Sequence, residues 1–222
     1  MHASDMNTAL LAIAGLAKAY DGHTIIAGFD LTVEAGSAVA LMGPNGCGKS
    51  TILRCLSGHE SCRTAAFETN GRAAKVHSSG YRRDVFPIFD DFAFFPDITV
   101  TEHLELLAGM HDLPDHEAAA AAALERFGIS TVAEQFPATL SSGQIRRVAF
   151  AAAAIRPWTV LLLDEPEQRL DGDGRSRLVD FLDEQLTAGR GLVFATHDLA
   201  LAERLGARLV NLVPPVGQSC GG

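Results

Sequence analysis

Residues Gly43–Thr51 read GPNGCGKST and follow directly on a compact apolar run, Ala38–Met42, AVALM. The pattern is G-x-x-x-x-G-K-S-T, and it dictates more than a loop. A strand must deliver it and a helix must receive it, because the glycines free successive backbone N–H groups to wrap an anionic oxygen group while the next helix points its positive end at the same place. AVALM supplies the strand and Ile52–Leu56, ILRCL, continues the helix. A plain glycine-rich turn would need neither. On this reading Gly43, Pro44, Asn45, Gly46, Cys47 and Gly48 form a phosphate cradle and Lys49 neutralises the β- and γ-phosphates of a nucleotide. Ser50 offers its hydroxyl to Mg²⁺ and Thr51 adds a phosphate contact.

The rest of the chain supports a layered α/β core. Ile25–Val33 alternates loosely and reads as a strand, whereas Val160–Leu163 and Gly191–Ala195 are short continuous apolar runs of the kind buried on both faces of a parallel sheet. Between these two runs, Asp173–Leu186 has helical spacing. Strand, helix, strand in that order predicts an α/β fold. The middle differs. Thr99–Met110 and Asp115–Phe127 are consecutive helical patterns with a capping residue at each start, and no strand is readable between them, so a helical insert is predicted over Phe86–Ser142.

A second chemical element stands where a strand ends in acid. Val160–Pro166 reads VLLLDEP and carries Asp164 to the carboxyl edge of the sheet, the edge where such sheets bind ligands. Asp164 is suited to holding Mg²⁺ through water, and Glu165 to polarising an attacking water. Acids after a strand often only begin a turn. Two together, in a chain that already has a phosphate loop, point to nucleotide hydrolysis.

Composition narrows the class further. The 222 residues are 47% hydrophobic and 20% charged, which allows a real core and excludes a disordered chain. A net charge of -9 without a basic stripe argues against a nucleic-acid partner, and no apolar run is long enough to span a bilayer. Leu10–Tyr20, LLAIAGLAKAY, superficially resembles a secretion signal, but no Lys or Arg precedes it. Cys47, Cys55, Cys62 and Cys220 include no C-x-x-C pair and fit a reducing cytosol, with pairing of Cys55 and Cys62 left open. There are no repeats, and the final PPVGQSCGG reads as a frayed tail.

Thr139–Arg147, TLSSGQIRR, places a polar turn before an alanine-rich helical run. Alone it is a helix cap. Together with GPNGCGKST, VLLLDEP and Ala195–Asp198, ATHD, it resembles the nucleotide-binding domain of ATP-binding cassette (ABC) transporters, whose signature LSGGQ is matched here by Leu140-Ser141-Ser142-Gly143-Gln144 at all but one position. The order and spacing agree from about Leu10 to Val213. The resemblance implies a single domain, 1–222: an α/β P-loop core of 1–85 plus 143–222 with a mainly parallel sheet, an N-terminal antiparallel β portion, and a helical subdomain over 86–142 that docks on membrane subunits. It also implies that Tyr20 stacks on adenine and that His197 reaches the γ-phosphate. Two such domains meet head to tail, so that Ser141, Ser142, Gly143 and Gln144 face ATP held by the opposite subunit, with Asp171 in the loop at the dimer seam. ATP and Mg²⁺ are the implied cofactors.

Three departures from the family pattern stand out. The glutamine that contacts Mg²⁺ falls at Asp90, a shorter and charged side chain that could still reach the metal as a further ligand but with a changed geometry, which bears on coupling to the membrane partner. The small residues usual after the catalytic glutamate are replaced by Gln168-Arg169 ahead of Leu170-Asp171, which implies altered packing at the seam. Ser142 stands for the first signature glycine and needs more room near the phosphate, and serine avoids positive φ. The function expected is a cytoplasmic ATPase subunit, peripheral on the inner face of the cell membrane, driving separate permease subunits as a homodimer or heterodimer. Its short single-cassette form resembles exporters slightly more than importers. The competing expectation is a nucleotide-dependent scaffold or regulator of a membrane complex, without transport; a nucleic-acid ATPase usually carries two cassettes.

Overall fold

The structure is a computed structural model that describes residues 9–63 and 66–213. The predicted tail, with Cys220, lies outside them; Cys47, Cys55 and Cys62 are free thiols. The chain divides into two compact units. One takes the chain up to Pro87 with Thr159–Pro166 and the stretch from Glu184 onward; the other takes Ile88–Trp158 and Glu167–Asp183.

The first unit holds two sheets. In the antiparallel one, β1 (Leu11–Tyr20) pairs with β2 (His23–Val33) and with β4 (Ala66–Thr69), and β5 (Arg72–Ala73) completes the order β2-β1-β4-β5. The signal-like stretch is therefore a strand. Asp21 (φ 47) and Gly22 (φ 83) make its hairpin turn, the D-G pairing whose positive φ values match the twist of the flanking strands. Register shifts between Ile13 and Leu16 and between Leu16 and Lys18 interrupt the alternation, although Leu11, Ile13 and Leu16 remain buried.

The second sheet has the order β6-β7-β8-β3-β9, from β6 (Val85–Ile88), β7 (Val160–Asp164), β8 (Gly191–Ala195), β3 (Ala38–Met42) and β9 (Arg208–Asn211). β7, β8, β3 and β9 run parallel. Val160–Leu163 and Leu192–Ala195 are fully buried, as continuous apolar strands covered on both faces must be. Leu41 pairs with Ala195 and Asp164 also pairs with Ala195, so three carboxyl ends stand at one edge. From that edge the phosphate loop leads into α1 (Lys49–Ser57), Asp164 leads to Glu165, and Thr196-His197 leads into α7 (Leu199–Arg204).

The second unit is helical: α3 (Val100–Met110), α4 (His116–Arg126), α5 (Ser142–Ile155) and the start of α6 (Gly172–Thr187). α2 (Ser79–Asp84) belongs to the first unit. Thr99 and Asp115 cap α3 and α4 as expected, Thr99 in a reciprocal capping box with Glu102. Phe127 anchors the packing, its ring 5.4 Å from Phe181 edge-on and 6.0 Å from Phe150.

Candidate functional site

Glycine is obligatory at Gly43: with φ 145, an added Cβ would lie 2.5 Å from Leu212 O and 2.8 Å from Cys47 Sγ. Gly46 and Gly48 are left-handed, and Gly48 begins α1 with no side-chain cap. The first turn of α1 thus presents N–H groups and the positive helix end to whatever occupies the loop. Lys49 is 6% exposed, and its Nζ donates to Gly43 O at 2.8 Å and Pro44 O at 3.3 Å. A buried ammonium, an uncapped helix and open space where a Gly46 Cβ would stand make a cradle that fits a polyphosphate.

The sheet edge brings the acid and base groups to the same loop. Glu165 has φ 47, a left-handed conformation that costs a side-chain-bearing residue about 1–3 kcal/mol and marks a position held for a purpose. Its N–H donates to Ala195 O at 2.9 Å, and its Oε1 lies 3.2 Å from His197 Nε2. The same Nε2 is 3.1 Å from Lys49 Nζ. One nitrogen cannot accept from the lysine and donate to the carboxylate at once. Thr196 Oγ1 accepts from Asp198 N at 2.8 Å, and Asp198 caps α7, so His197 is bracketed by fixed neighbours. Ser50 is exposed at the start of α1, and with Asp164 it supplies hard oxygen donors. Among the described residues no cluster of three or more His, Cys, Asp or Glu forms a self-sufficient metal site.

Tyr20 ends β1 and is 41% exposed. Its hydroxyl donates to Glu60, and Lys18 Nζ lies 4.7 Å from its ring centroid while bonded to Glu60 at 3.3 Å. The ring is therefore fixed at its tip and covered on one side by an ammonium. Burial, then the hydrogen bond to Glu60, push the phenol up to about 12, against a smaller opposing pull from Thr51. Burial also raises Tyr81, the chain's other tyrosine, whose hydroxyl donates to Leu56 O at 2.5 Å. Both protonated phenols are favoured by folding. For Tyr20 that contribution is complete below pH 10.0 and is lost as pH rises through about 12. An absorbance titration should accordingly show almost no phenolate at pH 10.0 in the native chain and about half in denaturant; ordinary titration in the native chain would refute the contact.

The signature lies in the second unit. Ser141 is the N-cap of α5: its hydroxyl accepts from Gln144 N at 3.3 Å and Gln144 Oε1 accepts from Ser141 N at 2.8 Å. Ser142 is the first helical residue, so the positive φ that a serine would resist is not required of it. Gly143 does have to be glycine, because a Cβ there would meet Arg169 O at 2.6 Å. Asp171 accepts from Gly174 N at 2.8 Å and from Arg147, whose guanidinium also reaches Asp173 at 2.9 Å and Phe127 O at 3.0 Å. The Gly174 bond, then Arg147, hold the Asp171 carboxyl below the usual carboxylate range. A groove of about 560 Å³ opens here, lined by Ser141, Ser142, Gly143, Gln144, Arg147 and Asp171 among others. Arg147 sits in TLSSGQIRR without a local signal for its role, because its acidic partners come from beyond the next strand.

Asp90 follows β6 and is held by two cations of its own unit: Arg169 Nη2 at 2.8 Å and Arg146 Nη1 at 3.6 Å. Two of the departures from the family pattern are thus bonded to each other.

Phosphate cradle, acid-ended strand and adjoining histidine define a P-loop nucleotide-binding domain. Residues 26–168 match the family model described as ABC transporter. The chain belongs to the ABC transporter family. It is 32% identical over 215 residues to the spermidine/putrescine import ATP-binding protein PotA of Pasteurella multocida (strain Pm70), covering 96% of this chain and 58% of that protein. PotA of Escherichia coli (strain K12) is 34% identical over 204 residues, or 90% of this chain and 54% of the relative. The chain therefore spans little more than half the length of these curated relatives. Among solved structures, an ATP-binding subunit of an ABC transporter superposes with a TM-score of 0.82 at 30% identity, covering 91% of this chain and 85% of the other. A dimeric ATP-binding cassette in a post-hydrolysis state with ADP and Pi gives 0.79 at 25% identity, with 91% and 94% covered.

Proposed function

We propose that the chain binds ATP with Mg²⁺, hydrolyses it, and drives substrate movement through separate transmembrane subunits. The observation that carries this reading is the meeting of Lys49, His197 and a left-handed Glu165 at one sheet edge. Glu165 accepts a proton from the attacking water and His197 holds Glu165 and the γ-phosphate in register. Tyr20 stacks on adenine through the face that Lys18 leaves open. Ser50 and Asp164 would hold Mg²⁺, which neutralises phosphate charge when bound. Ser141 and Gly143 present the N-terminal end of α5 to ATP on a second subunit, homologous or identical, and the dimeric cassette with ADP and Pi supports such an assembly.

No helix among the described residues is long and apolar enough to cross a membrane. The chain would work on the inner face of the cell membrane through its permease partner. Phe95, Leu106, Met110 and Phe136 are 45–68% exposed in the second unit and support the docking role assigned to 86–142. The expectation of export receives no support from the relatives, each of which carries an import name, and import is the direction they favour. A scaffold without turnover leaves the constrained Glu165 without a purpose. Purification with the native membrane subunits tests the reading: Mg²⁺-dependent ATP hydrolysis that rises with transported substrate is expected, and a complex that binds ATP without turnover would overturn it.

A further inference from the structure

We propose that Asp90 and Arg169 form a clasp that positions the Gln168–Asp171 loop on the first turn of α5, so that Gly143 and Asp171 meet a second subunit in one arrangement. The proposal rests on the ATP-driven dimer described above. Arg169 adopts φ 64, a conformation that an arginine keeps only where its surroundings hold it. Its carbonyl oxygen sits over Gly143, 2.6 Å from where a Cβ would be, and its guanidinium reaches Asp90 at 2.8 Å. Two residues on, Asp171 is tied to Arg147 of α5 and caps the first turn of α6. The loop is thereby tied to Asp90 at one end and to Arg147 of α5 at the other.

Asp90 works here as a counter-ion. Its second oxygen faces Arg146, which is 4% exposed on α5 and lies 5.5 Å from the Phe150 ring. Removing the carboxylate leaves two guanidinium groups facing one another, and Arg169, the exposed one, swings out to water and releases the loop. A neutral glutamine at position 90 could not balance both. The aspartate and the arginine thus explain each other as one bonded pair. Asp90 and Arg169 are positioning residues in this scheme, and neither touches nucleotide or metal.

A mutant cycle in the full chain tests it with Asp90→Asn, Arg169→Gln and the double variant. In nucleotide-free protein, hydrogen exchange at the start of α5 and α6 should quicken about 5-fold in each single variant, near the most an exposed pair supports, and no further in the double. In a Glu165→Gln background, the ATP concentration for half-maximal dimerisation should rise by about 5-fold in all three alike. Single effects that multiply to about 25-fold in the double would overturn the clasp, as would quickened exchange with unchanged dimerisation. The Mg²⁺ requirement of turnover should be equal in Asp90→Asn and Arg169→Gln; a rise confined to Asp90→Asn would make Asp90 a metal ligand instead. If the Glu165→Gln chain failed to dimerise with ATP, the ATPase reading would fall while the exchange result still judged the clasp.

Discussion

Replacing Glu165 by glutamine is expected to lower ATP turnover by about 100-fold or more while ATP binding is retained and a nucleotide-bound dimer accumulates. The amide matches the carboxylate in size, so the left-handed backbone, the bond from its N–H to Ala195 O and the packing of β7 survive. Proton acceptance does not. Lys49, Ser50 and the glycine cradle are untouched, which is why affinity should stay within about 2-fold. Phosphate release measures the first effect, a fluorescent ATP analogue the second, and sedimentation the third. Turnover within about 3-fold of the parent would mean that another group takes the proton, and His197, 3.2 Å from the replaced oxygen, would be the next candidate.

What could be read from the sequence was what depends on neighbours in the chain. GPNGCGKST specifies its own backbone because positive-φ glycines and the Lys-Ser-Thr step act locally, and Gly46 and Gly48 adopt the left-handed conformations that the motif requires. Thr99 and Asp115 signal α3 and α4 through caps lying three residues from their partners. β1 was concealed because its bulges break the two-residue alternation, so the apolar positions look like a signal segment; the Asp21-Gly22 turn was the cue available. β6 was hidden by Pro87, which the edge of a sheet tolerates. The conformation of Glu165 follows from pairing with β8, and the Asp90–Arg169 bond joins residues 79 apart. Neither leaves a local trace. In sequence Asp90 and Gln168-Arg169 therefore stand as separate departures, and only the fold joins them.

Changing Ser141 to arginine is expected to abolish ATP-dependent dimerisation while each chain still binds nucleotide. The substitution removes the cap on Gln144 N, a loss of about 1 kcal/mol against a typical domain stability of about 5–15 kcal/mol, so the chain still folds. It also inserts a long charged side chain into the groove at the start of α5, where the first-turn amides of Ser142 and Gly143 have no intrahelical acceptor, beside Arg147 and Arg169. A phosphate would tolerate the charge, but its approach to the amides is blocked by bulk, and a third guanidinium in the groove adds repulsion before the phosphate arrives. Ser141→Ala separates these effects: it loses the same cap, leaves the groove open, and should raise the ATP requirement for dimerisation by only about 5-fold. The cradle residues belong to the first compact unit and Ser141 to the second, so nucleotide affinity of the single chain should be unchanged within about 2-fold. Measured in the Glu165→Gln background by sedimentation, arginine-bearing chains that still dimerise at the parent's ATP concentration would remove the α5 terminus from the shared site, and with it the reason for a capping serine at this turn.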